Sequence, residues 1–152
     1  MLCDPAERDA ATQQDVPPPD LPEGIPPLNS FYLYLTAGCN LACRHCSITP
    51  AFVDGVPSPG DCLDLDLLRE AVAEAKPPGL GSAKLTGGEP TLHPRFRELV
   101  DLLTAEGLSL DMETNGTLLD AGLARHLKEN ANVTFISVSL DGARAETHDA
   151  FR

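Results

Sequence analysis

Thr36-Ala37-Gly38-Cys39-Asn40-Leu41-Ala42-Cys43-Arg44-His45-Cys46 holds three of the chain's five cysteines, spaced C-x3-C-x2-C. Three thiols so close cannot all pair with one another, so a disulfide framework explains them poorly. A shared metal centre explains them better. Structural zinc takes four ligands, often from two separated pairs, and here no second C-x2-C follows. Iron–sulfur clusters are held by thiolates at short spacings. Three cysteines on a four-iron cluster leave one iron without a protein ligand, open for chemistry.

The flanking sequence places this loop. Phe31-Tyr32-Leu33-Tyr34-Leu35-Thr36 is an apolar run of strand length with Gly38 close behind. The cysteine loop therefore hangs from the C-terminal end of a strand, where parallel α/β folds carry their active sites. Pro50, Gly55, Pro57, Pro59 and Gly60 follow, and their density argues against regular structure there. Asp64 can cap a helix to about Lys76, with Leu65, Leu68, Val72 and Ala75 on one face. Ser82–Thr86 reads as a second strand, ending at Gly87-Gly88-Glu89-Pro90. Pro94 opens a helix with Phe96, Leu99, Val100 and Leu103 in register, stopped by Gly107. Leu108–Glu113 is a third strand running into Thr114-Asn115-Gly116. Asp120 can cap a short helix to Lys128, Val133–Leu140 is a fourth strand, and residues 143–152 begin another helix.

Alternating strands and helices imply a parallel sheet with right-handed crossovers. The expected fold is α/β, a partial (β/α) TIM-like barrel carrying about the first four βα units. A complete eight-fold barrel takes roughly 250 residues. Residues 1–30 hold Pro17-Pro18-Pro19, Pro22, Pro26 and Pro27 among polar side chains and read as a flexible Pro-rich leader, with an extended arm near Ile25–Leu28.

A formal charge of −12 argues against nucleic acid or an anionic membrane as partner. No segment has the length of a membrane span. Met1-Leu2-Cys3-Asp4 lacks a secretory signal, and clustered reduced cysteines point to a reducing cytoplasm.

The motifs together resemble the radical S-adenosylmethionine (SAM) superfamily. The resemblance rests on C39-x3-C43-x2-C46 after an apolar strand, on Gly87-Gly88-Glu89-Pro90, and on Ser137-Val138-Ser139-Leu140-Asp141-Gly142. It covers residues 31–152, and the Cys-Arg-His-Cys form with Thr-Asn-Gly at 114–116 is similar to the branch of peptide and protein maturases with a C-terminal auxiliary-cluster (SPASM) domain. The resemblance implies a 4Fe–4S cluster on Cys39, Cys43 and Cys46. It implies reductive cleavage of SAM to a deoxyadenosyl radical for hydrogen abstraction, fed by a flavodoxin- or ferredoxin-like electron donor. It implies that Gly87, Gly88, Glu89 and Pro90 meet the amino group of SAM, largely through carbonyls. Thr114, Asn115 and Ser139 would meet its ribose or carboxylate, and His45 would stand near the adenine. A peptide substrate is suggested, and no side-chain catalytic acid or base is needed. The family's usual core of six units makes residues 31–152 the truncated N-terminal portion of a larger enzyme, whose turnover by these residues alone is not expected.

Bland alternatives stand beside each role. Zinc in the cysteine loop, with the Pro-rich leader as docking segment, would make a non-catalytic binding module. Glu89 can receive an ammonium or merely close a turn. His45 can stack on a purine or pack on its own loop. Arg44 can offset cluster charge or be solvated. Asn115-Gly116 can be only a turn, and Asp141 a helix cap. Cys3 and Cys62 read as incidental thiols, and His93 as a helix-entry residue.

Overall fold

The computed structural model describes residues 21–48, 52–53, 56–129 and 132–152. Cys3, Pro17–Pro19, Pro50 and Gly55 lie outside these residues. Four parallel strands form one sheet in sequential order: β1 (Ser30–Tyr34), β4 (Ser82–Thr86), β5 (Ser109–Thr114) and β6 (Val133–Val138). Helices α1 (Leu65–Ala75), α2 (Phe96–Ala105) and α3 (Ala121–Glu129) fall between successive strands of that sheet. Sequential order with a helix at each crossover is the arrangement of a partial (β/α) barrel.

The core forms because each element has one apolar face. Leu65, Leu68 and Val72 recur at helical spacing on α1, and Phe96, Leu99, Val100 and Leu103 on α2; all are buried. They join Ala83, Leu85, Leu110 and Met112, which alternate along β4 and β5, in one cluster. The opposite sheet face is open. Tyr32 and Lys84 share one register row, and Lys84 lies over the Tyr32 ring.

Local chemistry sets the boundaries. Asp64 Oδ1 accepts from the N–H groups of Asp66 and Leu67 at 2.9 Å, the expected N-cap of α1. Asp120 Oδ1 does the same for Leu123 at 2.6 Å at the start of α3. α2 begins two residues after Pro94, because Pro90–Leu92 first makes a 3-10 turn. His93 secures that entry: its Nδ1 accepts from Arg95 N–H at 3.1 Å and its Nε2 lies 2.8 Å from the Leu63 carbonyl. A short helix α4 (Ala145–Asp149) follows β6.

Two expectations change. The segment after the cysteine loop is not wholly irregular: β2 (Phe52–Val53) and β3 (Val56–Pro57) pair antiparallel. The Asp54-Gly55 dipeptide between them is the composition two-residue hairpins use, and a pair this short tolerates Pro57. β1 begins at Ser30, one residue inside the stretch read as leader, and Leu28 N–H donates to the Pro78 carbonyl at 2.9 Å. Residues 22–29 are otherwise exposed and in neither helix nor strand.

Candidate active site

The parallel pairing of β1 with β4 puts the cysteine loop and the Gly87–Pro90 turn side by side at the C-terminal end of the sheet. Backbone bonds then stitch them together. Gly88 N–H donates to the Thr36 carbonyl and Glu89 N–H to the Gly38 carbonyl, both at 2.9 Å. The buried Thr36 hydroxyl lies 3.1 Å from the Gly38 carbonyl and 3.0 Å from that of Glu89. Three of these glycines are required by contact. A Cβ on Gly88 would sit 1.8 Å from the Gly38 carbonyl oxygen, and one on Gly38 would sit 1.7 Å from that of Ser58. Gly87 has φ +123°, open to glycine and strained for other residues. The turns are tight because loop packs on loop.

The Glu89 carboxylate is fully used by the protein. It is 1% exposed. Oε1 accepts from Thr91 N–H (3.2 Å), the Thr91 hydroxyl (2.5 Å) and the Thr114 hydroxyl (2.7 Å), and Oε2 from Asn115 N–H (2.8 Å). Four donors offset the cost of burying a charge. The Glu89 side chain thus faces donors of its own chain, and the Thr114 hydroxyl turns inward to Glu89. Pro90 is buried as the first residue of the 3-10 turn.

The three cysteines lie on one loop with different surroundings. Cys39 Sγ receives Leu41 N–H at 3.4 Å and Asn115 Nδ2 at 3.7 Å. Burial pushes its thiol above the ordinary value, opposed by these two donors. Arg152 Nη1 approaches Cys43 Sγ at 3.7 Å. Cys46 is exposed, its Sγ 2.8 Å from the Ile48 carbonyl. Among the described residues no three His, Cys, Asp or Glu side chains converge as one metal ion requires. The donor set does fit a 4Fe–4S cluster. Cys39 already meets two N–H donors and Cys43 a guanidinium, groups of the kind that hydrogen-bond to ligating sulfur in such clusters. Exposed Cys46 is open to reorientation.

The remaining predicted residues lie at the ends of β5 and β6 and on the loop itself. Ser139 N–H donates to the Thr114 carbonyl at 2.9 Å, so the ends of β5 and β6 meet there. His45 packs edge-on against Phe151, with ring centroids 6.0 Å apart, and its Nε2 is 3.7 Å from Asp141. Asp141 also takes the Arg152 guanidinium, which holds its carboxyl below the usual range. Arg44 is tied through its backbone: its N–H donates to the Phe151 carbonyl at 2.9 Å. Cys62 stands apart as a free thiol, its backbone bridged to Thr36. Thr36, Asn40 and Arg152 escaped the sequence reading. A threonine ending an apolar strand carries no signal of its own, and the contact from Arg152 to Cys43 spans 109 positions.

The comparisons with known proteins agree with this geometry. The family model of the radical SAM superfamily matches residues 33–152. The AdoMet-dependent heme synthase of Methanosarcina barkeri is 42% identical over 118 residues, 78% of this chain and 32% of that protein. The mycofactocin maturase MftC of Mycobacterium tuberculosis is 36% identical over 118 residues, 78% of this chain and 29% of that protein. Among solved structures, anSMEcpe with bound AdoMet superposes with TM-score 0.64 at 31% identity, covering 84% of this chain and 34% of the other. Streptococcus suis SuiB bound to its precursor peptide SuiA gives TM-score 0.66 at 19% identity, over 83% of this chain and 27% of the other, a likeness of fold. The chain spans about a third of the length of these curated relatives. None of these matches supports the zinc-module alternative, and no helix of the described residues is long and apolar enough to cross a membrane. The chain belongs to the radical SAM superfamily, a family of enzymes that use a 4Fe–4S cluster and AdoMet.

Proposed function

We propose that residues 31–152 are the N-terminal portion of a radical SAM core that holds a 4Fe–4S cluster through Cys39, Cys43 and Cys46 and binds AdoMet beside Gly87–Pro90, for hydrogen abstraction from a peptide or protein. The observation that carries the reading is the stitching of the cysteine loop to the Gly87–Pro90 turn by Gly88 N–H to Thr36 and Glu89 N–H to Gly38. When bound, the cluster and AdoMet supply a reductively formed deoxyadenosyl radical.

The chain's own residues bind and orient. Three thiolates hold three irons. The backbone of Gly87 and Gly88 lies against the start of the loop that carries them, and the Glu89 carboxylate acts from behind by fixing the turn to the end of β5. Ser139 and the Asn115 backbone stand at neighbouring strand ends, in reach of polar groups of a ligand lying across them. His45 and Phe151 offer a ring pair at the loop's outer side. A low-potential one-electron donor of the flavodoxin or ferredoxin class completes the scheme. The peptide reading draws support from MftC and from the subtilosin biosynthesis protein AlbA of Bacillus subtilis, 28% identical over 118 residues.

Anaerobic reconstitution of the full chain tests the proposal. About four irons with matching sulfide per chain are expected, with a paramagnetic signal after reduction that changes on adding AdoMet. Retention of the cluster by the Cys39→Ala, Cys43→Ala, Cys46→Ala triple variant would overturn it. So would stoichiometric zinc without iron in anaerobically purified protein.

A further inference from the structure

Asn115 is clamped so that its amide faces a cluster-ligand sulfur. Its backbone N–H donates to Glu89 Oε2 at 2.8 Å, which fixes the main chain at the end of β5. Its Oδ1 accepts from Thr117 N–H at 2.9 Å and from the Thr117 hydroxyl at 2.7 Å. A backbone N–H can only donate, so this contact decides which way the amide points. Nδ2 therefore faces the other way, where it meets Asn40 Oδ1 at 2.8 Å and Cys39 Sγ at 3.7 Å. Both acceptors lie on the Nδ2 side of the amide. Asn40 is itself held by donating to the Thr117 hydroxyl at 2.8 Å.

The three sulfurs are thus unequal. Cys39 alone faces a neutral side-chain donor oriented by an independent network, whereas Cys43 faces a guanidinium and Cys46 a carbonyl. Groups that hydrogen-bond to ligating sulfur tune a metal centre. We infer that Asn115 is a positioning residue whose Nδ2–H to Cys39 Sγ hydrogen bond stabilises the reduced cluster and raises its potential. The inference rests on Cys39 being a cluster ligand, as proposed above. The step concerned takes one electron from a low-potential donor into the oxidised [4Fe–4S]2+ cluster, giving [4Fe–4S]1+, and moves no proton. The added negative charge is spread over the cysteine sulfurs, so a donor aimed at one of them favours the reduced side.

The test is a dithionite redox titration of the reconstituted full chain, read by electron paramagnetic resonance, for wild type, Asn115→Ala and Asn115→Asp. Asn115→Ala removes the donor, and Asn115→Asp keeps the acceptor for Thr117 while turning an anion toward the sulfur. Both variants are expected to load iron as wild type does. The reduction equilibrium constant should fall roughly fivefold in Asn115→Ala, about 40 mV for one electron, and further in Asn115→Asp. Potentials equal to wild type at full iron loading would overturn the inference, as would a higher potential in Asn115→Asp than in Asn115→Ala. If Asn115→Ala does not load iron, Asn115→Ser is read in its place. Loss of iron from all three variants with the fold intact overturns it in favour of a purely structural latch. Failure of the wild-type chain to take up iron would instead overturn the cluster assignment itself.

Discussion

Thr114 donates its hydroxyl to the Glu89 carboxylate at 2.7 Å, and both side chains are buried. The contact joins the end of β5 to the turn that ends β4. Removing Glu89 would leave the Thr114 hydroxyl without its acceptor. Glu89→Ala leaves the donors of Thr91, Thr114 and Asn115 without their acceptor, at about 3 kcal/mol or more. Glu89→Gln keeps the shape but brings an N–H2 group against other donors, and should cost about 2 kcal/mol. Urea unfolding followed by circular dichroism measures both. A midpoint unmoved in Glu89→Ala would mean that the carboxylate is not the tie described.

Gly88 should tolerate no side chain, because its Cβ would lie 1.8 Å from a backbone oxygen that no rotamer change can move. Gly88→Ala must force the cysteine loop away from its turn, at about 1–3 kcal/mol. Because the displaced segment carries Cys39, iron uptake should fall while the helical circular dichroism remains. Gly81→Ala is the control. Gly81 is exposed, and a Cβ there would meet no atom closer than 4.0 Å, so the change should stay within about 0.5 kcal/mol. Equal iron uptake by the two variants would contradict the contact.

These two glutamate and glycine contacts show where sequence stops being informative. Asp64 was legible as a cap because its acceptor and the N–H groups it serves lie within three residues. Ser82–Thr86 was legible because alternate residues are buried against helices whose own spacing is regular. The motif order placed Cys39 and Gly88 in one site. The partner of Glu89 lies 25 residues along the chain and that of Thr36 lies 53 away. Those pairings follow from strand adjacency, which local pattern does not encode. The β2–β3 hairpin was missed for a different reason: the prolines around Asp54-Gly55 outweighed the turn signal between them.

On the open face of the sheet, Lys84 Nζ lies 2.5 Å from Glu113. That hydrogen bond, with a lesser contribution from the Thr86 hydroxyl, holds the Glu113 carboxyl below its ordinary value against the opposing effect of burial. A depressed carboxyl contributes stability above about pH 4.3, and the contribution disappears as pH falls through the lowered folded value. The pair is half exposed, so the contribution is small and salt-sensitive. Glu113→Gln should unfold at slightly lower urea than wild type at pH 7, and the two curves should merge as pH falls through that lowered value. A difference that persists unchanged into acid would place its origin elsewhere.

Thiol labelling reads the cysteine loop without relying on activity. Thiolate is the reactive form, and Cys39 is pushed up by burial whereas Cys46 is exposed. In the metal-free full chain near pH 8, iodoacetamide should therefore modify Cys46 before Cys39, with the Cys39 rate still climbing above pH 9. Cys62 is pushed up too, by burial first and by neighbouring Asp61 second, so it should also be slow. Loading the cluster separates the two slow thiols. Cys39, Cys43 and Cys46 should all become protected together, because each sulfur is committed to iron, while Cys62 should react at its metal-free rate. Peptide mass spectrometry resolves the sites. Protection that included Cys62, or left any one of the other three open, would require a different ligand set from the one the loop provides.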